Sequence, residues 1–413
     1  MSGSVPHSFS LLRQPFVRAV FMSQLFSQCG IWVRNFAVLL YVMDITSGDA
    51  WAVSMISVAE YAPIFVFSFL GGVFADRWPP KRTTIWCEWL SAGSVFIVFL
   101  MLASGSWEAV FAAVACSSIL SQFAQPSGMK LFKIHVNDAQ APLCMSLLQL
   151  LSSVFMIIGP IMGTWVYQQA GIELALFVTG TAFGLSALAM LRIPPDPLPA
   201  DKAAGSGSVL REIADGIRYV VSVRILRWLS LCFMLVGLGV GLISPLSIFL
   251  VTERLGLTAQ HLQWITIPYG AGEIIGGIVA FRLAARISPK RFLMIGLLVN
   301  GAGIVVSGLS AELWLTMAAQ CLIALWQPAI FIGNHTLVMQ HTDQAYIGRV
   351  TGIRTPLMTG AMLLAMSFAG VLKDIFSLVV IYELAALCFV AGFLVTLPAF
   401  STNKSAPAAP AGS

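Results

Sequence analysis

Three ionisable residues lie deep inside apolar stretches of the chain, where a charge is costly and usually serves to bind a proton or a substrate. Arg34 lies nine residues before Met43, and Glu60 lies nine residues after Trp51, in two consecutive apolar runs. At roughly 1.5 Å per helical residue, both side chains are about 14 Å from the outer surface. Glu273 lies in a later run, at a depth of about 18 Å. This pattern predicts ligand binding and proton transfer near the middle of a membrane.

The charges on Arg34 and Glu60 can pair, because their runs would form neighbouring antiparallel helices. Two interpretations are open: a permanent structural pair, or a pair that the binding of substrate or of a proton breaks. No basic residue is apparent at the depth of Glu273, so this residue is the main candidate for a proton carrier, with a hydrogen-bonded structural acid as the alternative. Glu60 and Glu383 are further candidates for proton coupling, whereas Glu88 is expected to extend to the membrane interface.

A second set of polar side chains is predicted to line a substrate cavity. A histidine at this depth more often bonds to its neighbours than to a substrate, so both interpretations stay open for the histidine of the set. Methionine and aromatic residues, which are frequent in the chain, would suit bulky apolar ligands where they line such a cavity. The set comprises Arg34, Asn35, Tyr269, Gln327, Asn334 and His335.

The elements that must hold these residues are membrane-spanning helices. Hydrophobic residues make up 58% of the 413 residues and charged residues only 10%, whereas soluble domains carry about 25% charged residues. The apolar runs are continuous, which favours helices over the alternating strands of a β-barrel. We therefore predict an all-α membrane protein with twelve transmembrane helices. The predicted spans are 15–43, 50–73, 84–104, 108–131, 143–168, 172–192, 226–251, 261–284, 290–310, 312–338, 347–371 and 376–398.

A linker divides these spans into two groups of six. Pro194–Pro199 is rich in proline and Gly205–Ser208 alternates glycine with serine, and such compositions are typical of linkers. Leu210–Arg227 alternates charged and apolar residues, which is typical of an amphipathic helix at the membrane interface. The predicted domains are a six-helix bundle at 1–192, a cytoplasmic linker with this helix at 193–225, a second six-helix bundle at 226–400 and a disordered cytoplasmic tail at 401–413.

The two halves resemble each other weakly. Both Pro80–Arg82 and Pro289–Arg291 read Pro-Lys-Arg, and both follow the second span of their half. Two parallel repeats would place these segments at equivalent positions. Under this alignment Tyr269 corresponds to Glu60, and Glu273 lies one turn deeper on the same helix face.

The distribution of charge predicts the orientation. The side that would hold both termini contains 20 of the 23 basic residues, Arg354 among them. Basic residues accumulate on the cytoplasmic side, so we expect a multi-pass protein of the inner (cytoplasmic) membrane with both termini in the cytoplasm. This distribution explains the net charge of +5 without a nucleic-acid partner. The seven cysteines are scattered singly, so we expect neither metal, disulfide nor other cofactor.

One cytoplasmic loop carries a recognisable motif. The segment Gly71–Arg82 resembles the signature of the major facilitator superfamily between its second and third helices. The resemblance implies that the acidic residue and its arginine hold the two halves together on the cytoplasmic side. Pro79 stands where the family usually has glycine, and a merely basic loop is the alternative interpretation. The matching residues are Gly72, Asp76, Arg77, Lys81 and Arg82.

The fifth span contains Gly159, Pro160 and Gly163, which resemble part of the motif of antiporting members of that superfamily. A proline kink with a small-residue packing face is the alternative. Three shorter segments resemble the branch that contains macrolide-efflux proteins and the enterobactin exporter. That branch often has an acidic residue after the glycine of the first span, where this chain has Ile31. The three segments are Thr46–Ala50, Phe123–Pro126 and Asp215–Tyr219.

This resemblance implies the major facilitator fold, two bundles that alternate access to the two sides of the bilayer, and a monomer. It implies a secondary active transporter that exports amphipathic, drug-like or macrolide-like molecules by proton antiport. A siderophore exporter, and a lipid or lysolipid flippase on the same scaffold, are the alternatives. The sequence contains no GxxxxGK[ST] loop of an ATP-driven pump, and it contains neither HExxH nor GxSxG, so we do not expect an enzyme.

Overall fold

The computed structural model describes residues 14–136, 141–193, 209–284, 286–343 and 346–401, and it describes their side chains except at 68–77 and several shorter stretches. The described backbone is helical apart from short connections, and no strand occurs within it. The prediction of an all-α fold is confirmed.

Five helices precede the linker: α1 (Pro15–Ile45), α2 (Ala50–Arg77), α3 (Pro80–Ala103), α4 (Ala109–His135) and α5 (Ala141–Leu191). The backbone of α5 turns sharply at Ala170 and Gly171. Gly171 has a φ of 71°, a conformation that glycine adopts without the steric penalty of a Cβ atom. This turn divides α5 into a first arm (141–169) and a second arm (172–191), which correspond to the predicted fifth and sixth spans.

One helix, α6 (Val209–Ser222), lies within the predicted linker, and six helices follow it: α7 (Arg224–Ile243), α8 (Leu262–Ala284), α9 (Pro289–Leu309), α10 (Leu313–Gln340), α11 (Ile347–Phe376) and α12 (Leu378–Ser401). Without α6, and with α5 counted as two arms, these helices correspond to the twelve predicted spans. Nine described stretches are long and apolar enough to cross a membrane. One of the nine, Leu147–Leu191, contains most of the first arm of α5 and all of the second.

A proline breaks the predicted seventh span, 226–251. The helix α7 ends at Ile243, since Pro245 has no N–H to donate to the next helical hydrogen bond. The chain then forms a short helical turn at Ser247–Phe249 and a π-helical turn at Leu250–Arg254. The prediction of one continuous helix was therefore wrong for this span.

The amphipathic helix α6 is shorter than the predicted segment, because Val223 is extended, with φ −87° and ψ 107°. The ring of Tyr219 stacks on that of Tyr346, with 4.2 Å between centroids. The Tyr219 hydroxyl donates a hydrogen bond to the Asp343 carboxylate at 3.1 Å. These contacts attach α6 to the segment between α10 and α11.

The contacts within the chain define two compact units. The first unit holds the described residues of Met1–Ala203 together with Leu257–Gly270, and the second holds those of Ala204–Gly256 and Ala271–Ser413. Residues 257–270 group with the first unit, where the Gln168 side chain donates a hydrogen bond to Gln260 at 2.8 Å. The predicted domain boundaries remain predictions.

Each unit packs its first spanning helix closely against its fifth. In the first unit, a Cβ atom at Gly163 of α5 would lie 2.7 Å from the Cβ of Phe36 on α1. In the second unit, a Cβ at Gly237 of α7 would lie 2.6 Å from the carbonyl oxygen of Met358 on α11. Both distances are too short for any residue larger than glycine. The equivalent helix pairs agree with two parallel repeats.

Candidate functional site

Arg34, Asn35 and Glu60 form a polar network between α1 and α2. Arg34 is 3% exposed, and its Nε and Nη2 donate hydrogen bonds to Asn35 Oδ1 at 3.2 and 3.0 Å. The Asn35 side chain in turn donates to Glu60 Oε1 at 3.4 Å. A tight turn joins α1 to α2, and Asn35 connects Arg34 with Glu60, so the two residues lie at similar levels along their helices. Their depth in the membrane stays a prediction.

The network differs from a direct ion pair. Arg34 and Glu60 do not approach within 4.0 Å as a salt bridge, and the Asn35 amide bridges them. The remaining donor of Arg34, Nη1, is buried and has no hydrogen-bond partner in the described structure. Asn35 and Glu60 are half-buried, so these two side chains form the accessible face of the network, and Arg34 lies behind them.

Glu273 lies on α8, and two glycines bring this helix close to α10. A Cβ atom at Gly272 or Gly276 would collide with the backbone carbonyl of Cys321 or Leu325. Glu273 itself is half-buried. Among the described side chains, none forms a hydrogen bond or an ion pair with its carboxylate. It therefore fits the predicted isolated acid.

Two further predicted candidates are Tyr269 and Gln327. Tyr269 lies one helical turn before Glu273 on α8, and Gln327 lies on α10. Both side chains are half-buried. Glu383, the third acid predicted for proton coupling, lies on the exposed face of α12, next to Tyr382, which is 1% exposed.

Asn334 belongs to helix packing rather than to an open cavity. It is fully buried, and its Nδ2 donates to the carbonyl oxygen of Leu229 at 3.2 Å. Its Oδ1 accepts a hydrogen bond from Arg354 Nη2. The substrate contact predicted for Asn334 stays a prediction. His335 is exposed, and its ring meets that of Phe233 edge-on at 6.0 Å.

Charge counting placed Arg354 on the side that holds both termini, and that placement stays a prediction. The residue is 3% exposed and lies inside α11. Its Nε donates to Ser230 Oγ at 3.0 Å, and its Nη2 donates to the Leu229 carbonyl at 3.2 Å. Its guanidinium also lies 5.4 Å from the ring centroid of Phe233. Neutral oxygens and an aromatic face thus surround this buried cation.

Glu88 is a functional candidate that sequence reasoning missed. It does not extend to the interface, because Ser27 Oγ donates a hydrogen bond to its Oε1 at 2.8 Å. Its other oxygen, Oε2, is buried without a hydrogen-bond partner in the described structure. Ser23 and Ser27 lie four residues apart in the sequence, which places both hydroxyls on one helix face. That spacing was the available signal.

The loop motif is only partly visible. Gly72, Asp76 and Arg77 lie outside the residues whose side chains are described. Lys81 Nζ donates to the carbonyl oxygens of Leu191, at 3.3 Å, and Ile193. A cation there stabilises the C-terminal end of α5. Arg82 is exposed.

The glycine motif of α5 lies against α1. A Cβ atom at Gly159 would collide with the ring of Trp32, and one at Gly163 would lie 2.9 Å from the carbonyl oxygen of Trp32. Pro160 between them is buried within the helix. This geometry supports the packing interpretation, and the antiport role stays a prediction.

The chain matches the family model described as Major Facilitator Superfamily over residues 20–244 and 229–413. It is 26% identical over 370 residues to the uncharacterized transporter YkuC of Bacillus subtilis, covering 86% of this chain and 85% of that protein. It is 26% identical over 376 residues to the multidrug efflux pump Tap of Mycobacterium tuberculosis, covering 88% of each chain.

The enterobactin exporter EntS of Citrobacter koseri is 24% identical over 369 residues, covering 84% of this chain and 83% of EntS. Among solved structures, the nucleoside transporter NupG superposes with a TM-score of 0.74 at 16% identity, covering 93% of this chain and 99% of NupG. This likeness supports the fold.

Proposed function

This chain belongs to the major facilitator superfamily, and from that membership we infer that it is a secondary transporter that exports amphipathic small molecules in exchange for protons. The family resemblance predicted from the sequence motifs is confirmed. The chain is a multi-pass membrane transporter rather than an enzyme.

The direction of transport is supported by the relatives. Tap is named a multidrug efflux pump and EntS an enterobactin exporter, and each aligns with more than four fifths of this chain. Drug-like or macrolide-like compounds are therefore the proposed substrates. Siderophores are the second candidate class, which the similarity to EntS favours.

The Arg34–Asn35–Glu60 network is the observation that carries this proposal. A site for amphipathic molecules needs apolar walls and a few fixed polar groups. Both α1 and α2 are otherwise mainly apolar, and the network is their polar centre. Because Asn35 and Glu60 are the accessible members, we assign the polar contact with substrate to them and the orientation of Asn35 to Arg34.

Proton coupling is assigned to Glu273. Its carboxylate is half-buried and has no partner among the described side chains, so a proton can reach and leave it without breaking a protein hydrogen bond. An acid at this depth can exchange a proton as its exposure to water changes during a transport cycle.

Transport into proteoliposomes tests the proposal. Purified protein is reconstituted, a pH gradient is imposed, and uphill movement of a labelled macrolide, a cationic dye, a catecholate siderophore and a lysolipid is measured. We expect the first two to move against their own gradients. Glu273→Gln should abolish uphill movement and leave ligand binding largely intact, while Glu312→Gln, which alters an exposed acid, should behave as the parent. Unchanged pH-driven transport by Glu273→Gln would overturn the assignment to this residue.

A further inference from the structure

A buried polar stripe runs along one face of α1. Its members Ser23, Ser27, Gly30 and Arg34 follow one another at intervals of four, three and four residues, a spacing that aligns side chains on one helix face. All four are buried, with exposures of 6% for Ser23, 7% for Ser27 and 3% for Arg34. The stripe ends at the Arg34–Asn35–Glu60 network.

Three hydroxyls of the first unit form a hydrogen-bonded chain that ends on a carboxyl group. Ser23 Oγ lies 2.7 Å from Ser186 Oγ, and Ser186 Oγ lies 2.9 Å from Ser27 Oγ. Ser27 Oγ then donates to Glu88 Oε1 at 2.8 Å. The four side chains come from α1, α3 and the second arm of α5, so the cluster joins three helices.

The surroundings of Glu88 contain hydroxyls rather than a countercharge. Cys87 is the titratable neighbour on its own helix, and Ser27 and Ser186 face it from α1 and α5. Of the charged residues on α1, Arg18 is exposed, Arg34 lies about 10 Å further along the axis, and Asp44 lies at the far end of the helix.

His135 of α4 and Glu173 of α5, the two helices that also pack against α3, lie away from Glu88. His135 of α4 stacks on Phe16, with 4.6 Å between ring centroids, and Glu173 of α5 lies near the turn at Gly171, at the far end of the second arm from Ser186. Glu88 Oε2 is buried without a donor, and burial of an uncompensated carboxylate is costly. The site thus favours a neutral, protonated acid.

Apolar packing isolates the cluster on one side. One turn before Ser23 lies Ala19, and one turn beyond Ser186 lies Met190, which are 5% and 3% exposed. Together with Phe16 and Ile193 they belong to one buried apolar cluster. In the opposite direction the stripe continues to Gly30, whose carbonyl oxygen accepts a hydrogen bond from Thr179 Oγ1 at 3.2 Å.

We propose that Glu88 is a proton-binding residue of the transport cycle, linked to the Arg34–Asn35–Glu60 network through the polar stripe of α1. Uptake forms one O–H bond on the Glu88 carboxyl and breaks one on the hydronium ion that supplies the proton. The serine hydroxyls keep their own protons, and Ser27 Oγ remains a donor to Glu88 Oε1. Because α1 is one continuous helix, a shift of Ser27 that follows this change also moves Arg34. The assignment rests on the proposed proton-coupled function and adds a residue of the first unit to it.

Infrared difference spectroscopy tests proton binding without any transport assay. Purified parent protein is compared at two pH values in the region of the carboxylic-acid C=O stretch. We expect one titrating band to be lost in Glu88→Gln and retained in Glu312→Gln. Ser27→Ala keeps the carboxyl and removes only its donor, so it should shift the frequency of the band. An unaltered spectrum in Glu88→Gln, or in Ser27→Ala should Glu88→Gln not fold, overturns the proposal.

The link to the substrate network is tested by proton release in detergent. A saturating concentration of the macrolide used in the transport test is added to unbuffered protein, and released protons are counted with a pH indicator. We expect Glu88→Gln to release fewer protons per bound ligand than the parent, with ligand affinity changed by less than tenfold. Equal proton release by Glu88→Gln and by the parent would overturn the link between Glu88 and the substrate network. If the parent fails to transport with a pH gradient but the infrared band still depends on Glu88, the proposed function fails while the proton site stands.

Discussion

Arg34 is a buried cation whose described partners are neutral. The Asn35 amide oxygen accepts hydrogen bonds from Nε and Nη2, and Nη1 has no hydrogen-bond partner among the described residues. An unsatisfied buried donor costs about 1–3 kcal/mol, and more for a charged group. Fold stability alone does not favour such an arrangement, and we therefore interpret its cost as serving the role proposed for Arg34, which is to orient Asn35.

The bridged geometry predicts unequal effects of neutralising each charge. Glu60→Gln leaves the buried Arg34 without a nearby anion and should lower the free energy of unfolding by about 1–3 kcal/mol. Arg34→Gln leaves Glu60, which is half-buried rather than fully buried, and should cost less. The double variant should be more stable than the sum of the two losses implies, since neither charge remains.

The midpoints of thermal unfolding of the parent, the two single variants and the double variant, all in detergent, test this prediction. Glu312→Gln is the control for the loss of an exposed acid. Strictly additive losses would mean that the two charges do not sense each other through Asn35.

Counting residues along the helices predicted that Arg34 and Glu60 can approach each other, and both lie within hydrogen-bonding distance of Asn35. It did not predict the bridging amide, which depends on side-chain conformation. Glu88 was misplaced for a simple reason: α3 begins at Pro80, four residues before the predicted start of the span. The residue is therefore about 12 Å from the start of the helix rather than about 6 Å.

Glycine determines how closely the helices approach. In α5, Gly163 faces α1, and no side chain fits between them. In α8, Gly277 lies where an added Cβ atom would meet no atom within 4 Å. The two positions therefore form a matched pair for substitution.

Gly163→Ala should destabilise the protein and Gly277→Ala should not. In Gly163→Ala the new Cβ atom lies 2.7 Å from the Phe36 Cβ and 2.9 Å from the Trp32 carbonyl oxygen, so α1 and α5 must separate. Overpacking of this kind typically costs about 1–3 kcal/mol. Gly277→Ala should be neutral or slightly stabilising, because alanine favours helix. The temperature at which half of each variant is lost from the size-exclusion peak after heating measures both stabilities. Equal temperatures for the two variants would contradict the packing interpretation of the α5 motif.

The helices themselves were largely predictable, since each is a continuous apolar run of sufficient length. The exceptions have local causes. Pro245 ends α7 early, and the extended Val223 ends α6. Neither residue changes the apolar character of its segment, so hydropathy does not reveal these breaks. Close approaches such as Gly163 on Phe36 join residues far apart in sequence, so hydropathy could not reveal them.

The prediction that both termini are cytoplasmic rests on the distribution of basic residues along the whole chain. The two ends of α3 suit a direct test. Arg82 lies at the start of this helix and Glu108 lies just beyond its end, and both are exposed. The described native cysteines are all buried or half-buried, so they can be replaced to give a clean background.

Single cysteines at these positions should react differently in intact cells. Glu108→Cys should react with a membrane-impermeant maleimide added outside, whereas Arg82→Cys should react only after the cells are permeabilised. Labelling of an unsubstituted cysteine-free protein is the control. The opposite pattern would invert the predicted orientation and with it the direction assigned to transport.

The stacking of Tyr219 on Tyr346 has a consequence for how the gene can be divided. Tyr219 and Tyr346 both come after residues 194–208 in the sequence, so α6 is anchored to the polypeptide that follows it. A gene cut between the codons for Ile193 and Val209 would yield two products, and the second would begin with its own anchored helix. The linker covalently tethers that helix to the first half, but it is not what holds α6 in place.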